Sequence, residues 1–357
     1  MDLSGTVLDS WRTNCRVTGF FIEQLPGRAA AGASPAPVNG ERFVAMDDAR
    51  ARVNVRQQSA VVGLLTMLTV FASGDAHHPS AALERAPRTA PGPLIERKTC
   101  KAPDGVTIVY SAAGAGEPAL VFIHGGLANR GFWDHELAAL AAHHRVIAPD
   151  LPGHGESGST RKKWGIPEFG ADVRAVIQAE HLGKVIIFGN SLGGPVAIEA
   201  ALLLPGKVIG VVGVDTYQNL TYATPPEDAR KRAEAFRADY EGSLKQMVST
   251  LFHPDADSAV VLDAERRMAL TSPAAAYQVF LSLGGYAAAP AARRLKLPLR
   301  AINGDRFPTD IEAIRKVHPD FDAVIMKHMG HYPMLERPDE FDHLVTEMVA
   351  RLSIPIR

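Results

Sequence analysis

The chain has 357 residues, enough for one large domain or two modest ones, and 46% of them are apolar, an ordinary fraction for a globular protein. A formal net charge of −1 argues against a nucleic-acid binder held by phosphate contacts. With only two cysteines, Cys15 and Cys100, no disulfide framework or zinc knuckle can be built.

Residues 1–94 read as an N-terminal extension. They are rich in Ala, Pro, Gly and Arg and show no long hydrophobic period, the composition of a poorly ordered segment. Inside it lies an uncharged apolar run, Ala60 to Ala72, preceded by Arg50, Arg52 and Arg56 and followed by Ser73 and Gly74. That is the three-part layout of a secretory signal peptide, spanning about residues 46–74, and it is too short to cross a bilayer comfortably. Translation from Met46 would place it at an N-terminus, so export to the periplasm or medium is the expectation in that case, and a cytoplasmic protein otherwise. The adjacent pairs His77-His78 and His143-His144 lack a ligand-spaced partner, so no metal site is expected there. The basic clusters Arg161-Lys162-Lys163 and Arg230-Lys231-Arg232 lie beside acidic residues and read as solvated faces.

From Ile95 the pattern is regular. Ile95–Ala102 and Val106–Ala112 read as an antiparallel hairpin joined at Pro103-Asp104-Gly105. Ala119–Ile123 is continuously apolar, the sign of a strand buried on both faces. A helix is expected from Phe132 to Ala142, a strand over Arg145–Ala148 and a helix from Pro167 to Ala179. Strand Val185–Phe188 then leads into Gly189-Asn190-Ser191-Leu192-Gly193 and a helix from Pro195 to Leu204. A serine flanked by glycines at that spacing suits a very tight strand-to-helix turn, because a Cβ at either glycine would strike the neighbouring chain. Such a turn lifts the hydroxyl out of the sheet and aims helix N-terminal amides at the same spot. Strand Val208–Val214 follows.

The alternation breaks over residues 216–294, where Glu227–Tyr240, Leu244–Leu251 and Pro273–Leu283 read as helices. An insertion of that length is too long for a bare loop and is expected to form a helical cap. Strand Leu299–Asn303, helix Thr309–His318, strand Asp322–Met326 and helix Pro338–Arg351 complete the chain. Strands alternating with helices imply a mostly parallel sheet of eight strands covered on both faces, an α/β fold assembled from residues 95–215 and 295–357.

Four motifs stand at the ends of strands in one order: His124-Gly125-Gly126, Asp150-Leu151-Pro152-Gly153-His154-Gly155-Glu156-Ser157, the Ser191 turn, and Gly330-His331. In this the chain resembles the α/β-hydrolase fold family, as a capped, carboxylesterase-like serine hydrolase, from Ile95 to the C-terminus. The resemblance implies Ser191 as nucleophile, His331 as general base and acid, and the backbone amides of Gly126 and Leu192 as the oxyanion hole. His154 is expected to orient its loop, and Asp150 to bond nearby amides. Relatives carry the acid three residues beyond a glycine after the seventh strand; counted from Gly304, that position holds Phe307. Asp215, at the end of the sixth strand, is the preferred acid, Asp305 the alternative, and Asp310 the weakest because its place suits a helix start.

A serine at the turn argues against the members that need a carboxylate there, the haloalkane dehalogenases and epoxide hydrolases. It points to acyl transfer, most simply hydrolysis of a small or medium carboxylic ester. The alternatives are cleavage of an activated carbon–carbon bond, a cofactor-free oxygenase or haloperoxidase-like activity, and a non-catalytic ligand-binding receptor. No cofactor or metal is implied. Phe132, Trp133 and Tyr217 are candidate walls of the substrate pocket, each equally suited to the core.

Overall fold

The computed structural model describes residues 92–354. The signal-like run Ala60–Ala72, Met46 and the extension up to residue 91 lie outside the described residues. The elements run β1 (Glu96–Lys101), β2 (Thr107–Ala113), β3 (Ala119–Ile123), α1 (Asp134–Leu140), β4 (Val146–Pro149), α2 (Ile166–Ala179), β5 (Val185–Asn190), α3 (Gly193–Leu202) and β6 (Val208–Val214). Then come α4 (Pro226–Ala238), α5 (Tyr240–Leu251), α6 (Ser258–Met268), α7 (Pro273–Ser282) and α8 (Ala289–Arg294). The chain returns to the sheet with β7 (Leu299–Gly304), α9 (Ile311–Arg315) and β8 (Asp322–Met326), and ends in α10 (Pro333–Glu336) and α11 (Pro338–Leu352).

The eight strands form one sheet in the order β1-β2-β4-β3-β5-β6-β7-β8. Strand β2 runs antiparallel to β1 and β4, and every other pairing is parallel. Successive side chains of a strand point to opposite faces, so a strand covered on both sides must be apolar throughout. Strand β5 illustrates this: Val185 and Ile187 join the core under α2 and α3, while Ile186 and Phe188 join the core under α1 and α11. Truncating a fully buried ring such as Phe188 to alanine is expected to cost about 3–5 kcal/mol. Among the described residues no helix is long and apolar enough to cross a membrane.

Differences from the sequence expectations have local causes. The helix expected from Phe132 is preceded by a separate 3₁₀ turn, Arg130–Trp133, capped by Asn129 accepting from the Gly131 amide. The helix expected over Thr309–His318 is only Ile311–Arg315, because Asp310 itself caps it, accepting from Ala313 N at 2.9 Å. Helix α6 was not expected, although Val260, Val261, Ala264 and Met268 recur at helical spacing and turn one face to the core. Arg161 is not part of a solvated face: its side chain is 2% exposed, forms two hydrogen bonds to the buried Asp172 and packs against Trp164 and Phe169. Buried Phe169, half-buried Trp164 and the Asp172 carboxylate outweigh its neighbours Lys162 and Lys163, which remain exposed.

Candidate active site

Strand β5 ends at Asn190 and α3 starts at Gly193, leaving Ser191 at φ +51° and Leu192 as the cap of the helix. A Cβ on Gly189 would lie 2.1 Å from Gly193 O, and one on Gly193 would lie 2.5 Å from Ile123 O, so both positions exclude a side chain. A left-handed non-glycine residue costs about 1–3 kcal/mol and persists only where its surroundings hold it. Here Ser191 N donates to Val214 O at 3.3 Å, and Thr216 Oγ1 donates to Ser191 O at 3.2 Å. Asp215 and Tyr217 are also left-handed, at φ +43° and +62°, so backbone strain gathers at the ends of β5 and β6.

Asp215 is fully buried directly after β6. Its Oδ1 accepts from Gly304 N at 2.9 Å and its Oδ2 faces His331 Nδ1 at 2.5 Å. A proton on Nδ1 donated to this carboxylate makes Nε2 the basic nitrogen of the ring. Asp305 points elsewhere, its Oδ1 accepting from Met329 N at 3.2 Å, and Asp310 is occupied as a helix cap. Phe307 lies edge-on to the His331 ring, with centroids 5.9 Å apart. The position that carries the acid in relatives thus reaches the same imidazole here, but with a phenyl ring.

Three residues that sequence reasoning missed hold this arrangement. Asn190 Nδ2 donates to both Val214 O and His331 O at 3.0 Å, tying the serine turn to the end of β6 and to the histidine loop. Asn303, buried in β7, accepts from Thr216 N and donates to Thr216 O and Thr309 Oγ1. Glu336 accepts from the amides of His253, Gly330 and Tyr332, bracketing His331, while burial pushes its carboxyl above the usual range. The only sequence signal was a polar residue closing an apolar strand, at Asn190 and again at Asn303.

The loop after β3 is set by buried histidine. His124 Nε2 accepts from Leu151 N at 3.0 Å, so its Nδ1–H donates to Gly125 O at 2.7 Å. His154 sits against the His124 ring at 4.8 Å, and burial drives both imidazoles down, His124 to about 4 and His154 to about 3. Both are therefore neutral wedges at neutral pH. Asp150 accepts from the amides of Arg130 and Glu156 and pairs with the Arg130 guanidinium, which fixes the loop that carries His154.

Ser191, His331, Gly126 and Leu192 all line one cavity of about 170 Å³. Its other walls come from the loop after β6 and from α4, α5 and α7, among them Tyr217, Met247, Leu251, Val279 and Phe280. Tyr217 is held there by its hydroxyl donating to Gly194 O at 2.6 Å. Phe132 and Trp133 do not line it: the 3₁₀ turn directs them inward, Phe132 against Tyr332 and Trp133 against Phe122. Arg232 departs from the expected solvated face, because α4 turns it into the cavity wall over the Phe280 ring, where burial lowers its pKa. Among the described residues of that wall it is the one side chain with a permanent charge.

This sheet, with its serine turn and histidine loop at one end, is the frame of a known family. Residues 120–344 match the model of the alpha/beta hydrolase family, and the chain belongs to that family and thereby to the hydrolases among enzymes. It is 26% identical over 257 residues to pimeloyl-[acyl-carrier protein] methyl ester esterase of Nitrosospira multiformis, covering 66% of this chain and 95% of that protein. A shorter stretch of 99 residues is 36% identical to the dihydrolipoyllysine-residue acetyltransferase component of the acetoin cleaving system of Pseudomonas putida, covering 28% of this chain but only 27% of that protein. An esterase from Exiguobacterium antarcticum shares the fold, with a TM-score of 0.66, 19% identity, and coverage of 71% of this chain and all of that one.

Proposed function

We propose that the chain is a serine ester hydrolase acting through Ser191, His331 and Asp215 on a small to medium acyl substrate. The observation that carries this reading is the 2.5 Å contact of His331 Nδ1 with the buried Asp215 carboxylate, beside a cavity that Ser191 and His331 both line. In the proposed sequence Ser191 Oγ attacks the ester carbonyl carbon and His331 Nε2 takes its proton. The tetrahedral oxyanion accepts hydrogen bonds from the amides of Gly126 and Leu192, each such donor typically contributing about 2.7–4 kcal/mol. Collapse breaks the bond to the alkoxy oxygen, which leaves as the alcohol with the proton from His331. Water then attacks the acyl-serine by the same route, regenerating Ser191 and releasing the acid. Asp215 stays ionised throughout, holding the tautomer and offsetting the charge of the imidazolium.

Cavity size bears on the substrate. A cavity of about 150 Å³ accommodates a benzene ring, so one of about 170 Å³ suits an aryl or short acyl group. In this reading the five helices between β6 and β7 act as the cap, since α4, α5 and α7 contribute to its wall. The methyl ester esterase among the relatives lends support to an ester as the bond cleaved. The test is turnover of p-nitrophenyl esters of increasing acyl length by wild type and Ser191→Ala. The expected result is activity highest for short chains and lost in Ser191→Ala. A folded wild type that leaves every ester intact would overturn the proposal.

A further inference from the structure

Where α1 packs against α11, three buried carboxylate oxygens have no hydrogen-bond partner among the described residues. Glu136, on α1, is fully buried, and neither of its oxygens accepts a hydrogen bond from another described residue. Asp342, on α11, has an unpartnered buried Oδ1, while its Oδ2 faces His135 Nδ1 at 2.9 Å. One ligand-type atom from each of His135, Glu136 and Asp342 lies within 4.8 Å of the other two. Buried polar groups are nearly always satisfied, and a buried anion without a donor is among the costliest exceptions. A fully buried carboxyl with no described partner, grouped with a second carboxylate and an imidazole, is an exception that a bound cation would resolve.

We propose that His135, Glu136 and Asp342 form a binding site for a divalent transition-metal ion of the zinc or manganese type. The charges match, since two carboxylates and a neutral imidazole balance one divalent ion. A donor set of one nitrogen and several carboxylate oxygens suits zinc and manganese. His135 Nδ1 shares a proton with Asp342 Oδ2 at 2.9 Å, and an incoming ion would displace that proton to bind both atoms. The His135 side chain is 43% exposed, which gives the ion a way in from solvent. None of the three residues lines the Ser191 cavity, so the site is separate from the proposed hydrolytic centre. A bound ion would clamp the last helix of the chain onto α1. The adjacent His135-Glu136 pair was unreadable as a site in the sequence because its third ligand lies in that last helix.

The test uses the full chain stripped with a chelator and titrated calorimetrically with zinc chloride and with manganese chloride, alongside melting curves. One ion per chain is expected, binding at least tenfold more weakly in His135→Ala and lost in Glu136→Gln and Asp342→Asn. At the same zinc concentration the melting temperature should rise in wild type and rise by less in His135→Ala. His135 is a half-exposed surface residue, so that variant stays interpretable even where replacing buried Glu136 prevents folding. Absence of saturable binding in wild type, or equal binding in wild type and His135→Ala, would overturn the proposal and leave a proton shared between Glu136 and Asp342 in its place.

Discussion

Replacing Asp215 by asparagine isolates the step on which the proposed mechanism depends. The carboxylate accepts from two sides at once, from Gly304 N at 2.9 Å and from His331 Nδ1 at 2.5 Å. An amide has one oxygen, so it can satisfy only one of these donors. With its oxygen toward Gly304, its NH₂ faces Nδ1, which must then lose its proton and accept. The proton moves to Nε2, the atom that should take the serine proton, and the base is blocked. Turned the other way, the NH₂ meets the Gly304 N–H in a fully buried site. The first arrangement is less costly, and a base held in the wrong tautomer lowers kcat by about 10⁴ in serine hydrolases, equivalent to about 5.4 kcal/mol on the barrier. Steady-state hydrolysis of a short p-nitrophenyl ester measures it, with circular dichroism to verify folding. KM should stay within about threefold, because the cavity wall is untouched. Asp305→Asn should leave kcat within about threefold, since that carboxylate bonds only the histidine loop. A collapse of kcat in Asp305→Asn with Asp215→Asn near wild type would refute the reasoning.

Because Phe307 already meets the His331 ring edge-on, adding Phe307→Asp to Asp215→Asn should recover about 10–100-fold in kcat, read in the same assay. Arg232→Met should weaken kcat/KM for an ester carrying a remote carboxylate by about 10–100-fold, the worth of a charge-assisted hydrogen bond. A neutral ester of equal length, compared in parallel, should change by less than about threefold. The third concerns stability and pH. His154 is held near 3 in the folded protein against 6.5 unfolded, so the unfolded state binds the extra proton in between and stability is lost as pH falls through that window. In His154→Phe, urea unfolding between pH 7 and pH 4 should therefore show a slope shallower by about one proton, whereas an unchanged slope would show that His154 does not titrate on unfolding.

Period and alternation made the sheet legible, because strands buried on both faces must be continuously apolar and the connections between them amphipathic. Ser191 was legible for a steric reason: Gly189 and Gly193 are dictated by backbone atoms within 2.1–2.5 Å of where a Cβ would stand. What the sequence concealed depends on approach across the fold. Asp215 and Asp305 both follow strands at the same end of the sheet, and only the turn after β6 decides which carboxylate reaches His331. Asn303 and Glu336 act through backbone amides contributed by distant segments, which leave no trace in local pattern. Charge clusters misled for a related reason, since Arg161 and Arg232 are read beside their exposed neighbours although each turns inward onto aromatic rings.

The most direct test of the central claim is to trap the acyl-enzyme. Wild type quenched in acid during turnover of p-nitrophenyl acetate, then digested and mapped by mass spectrometry, should carry one acetyl group on Ser191. A folded, active enzyme with no adduct there, or with the acetyl group on another residue, would contradict the account.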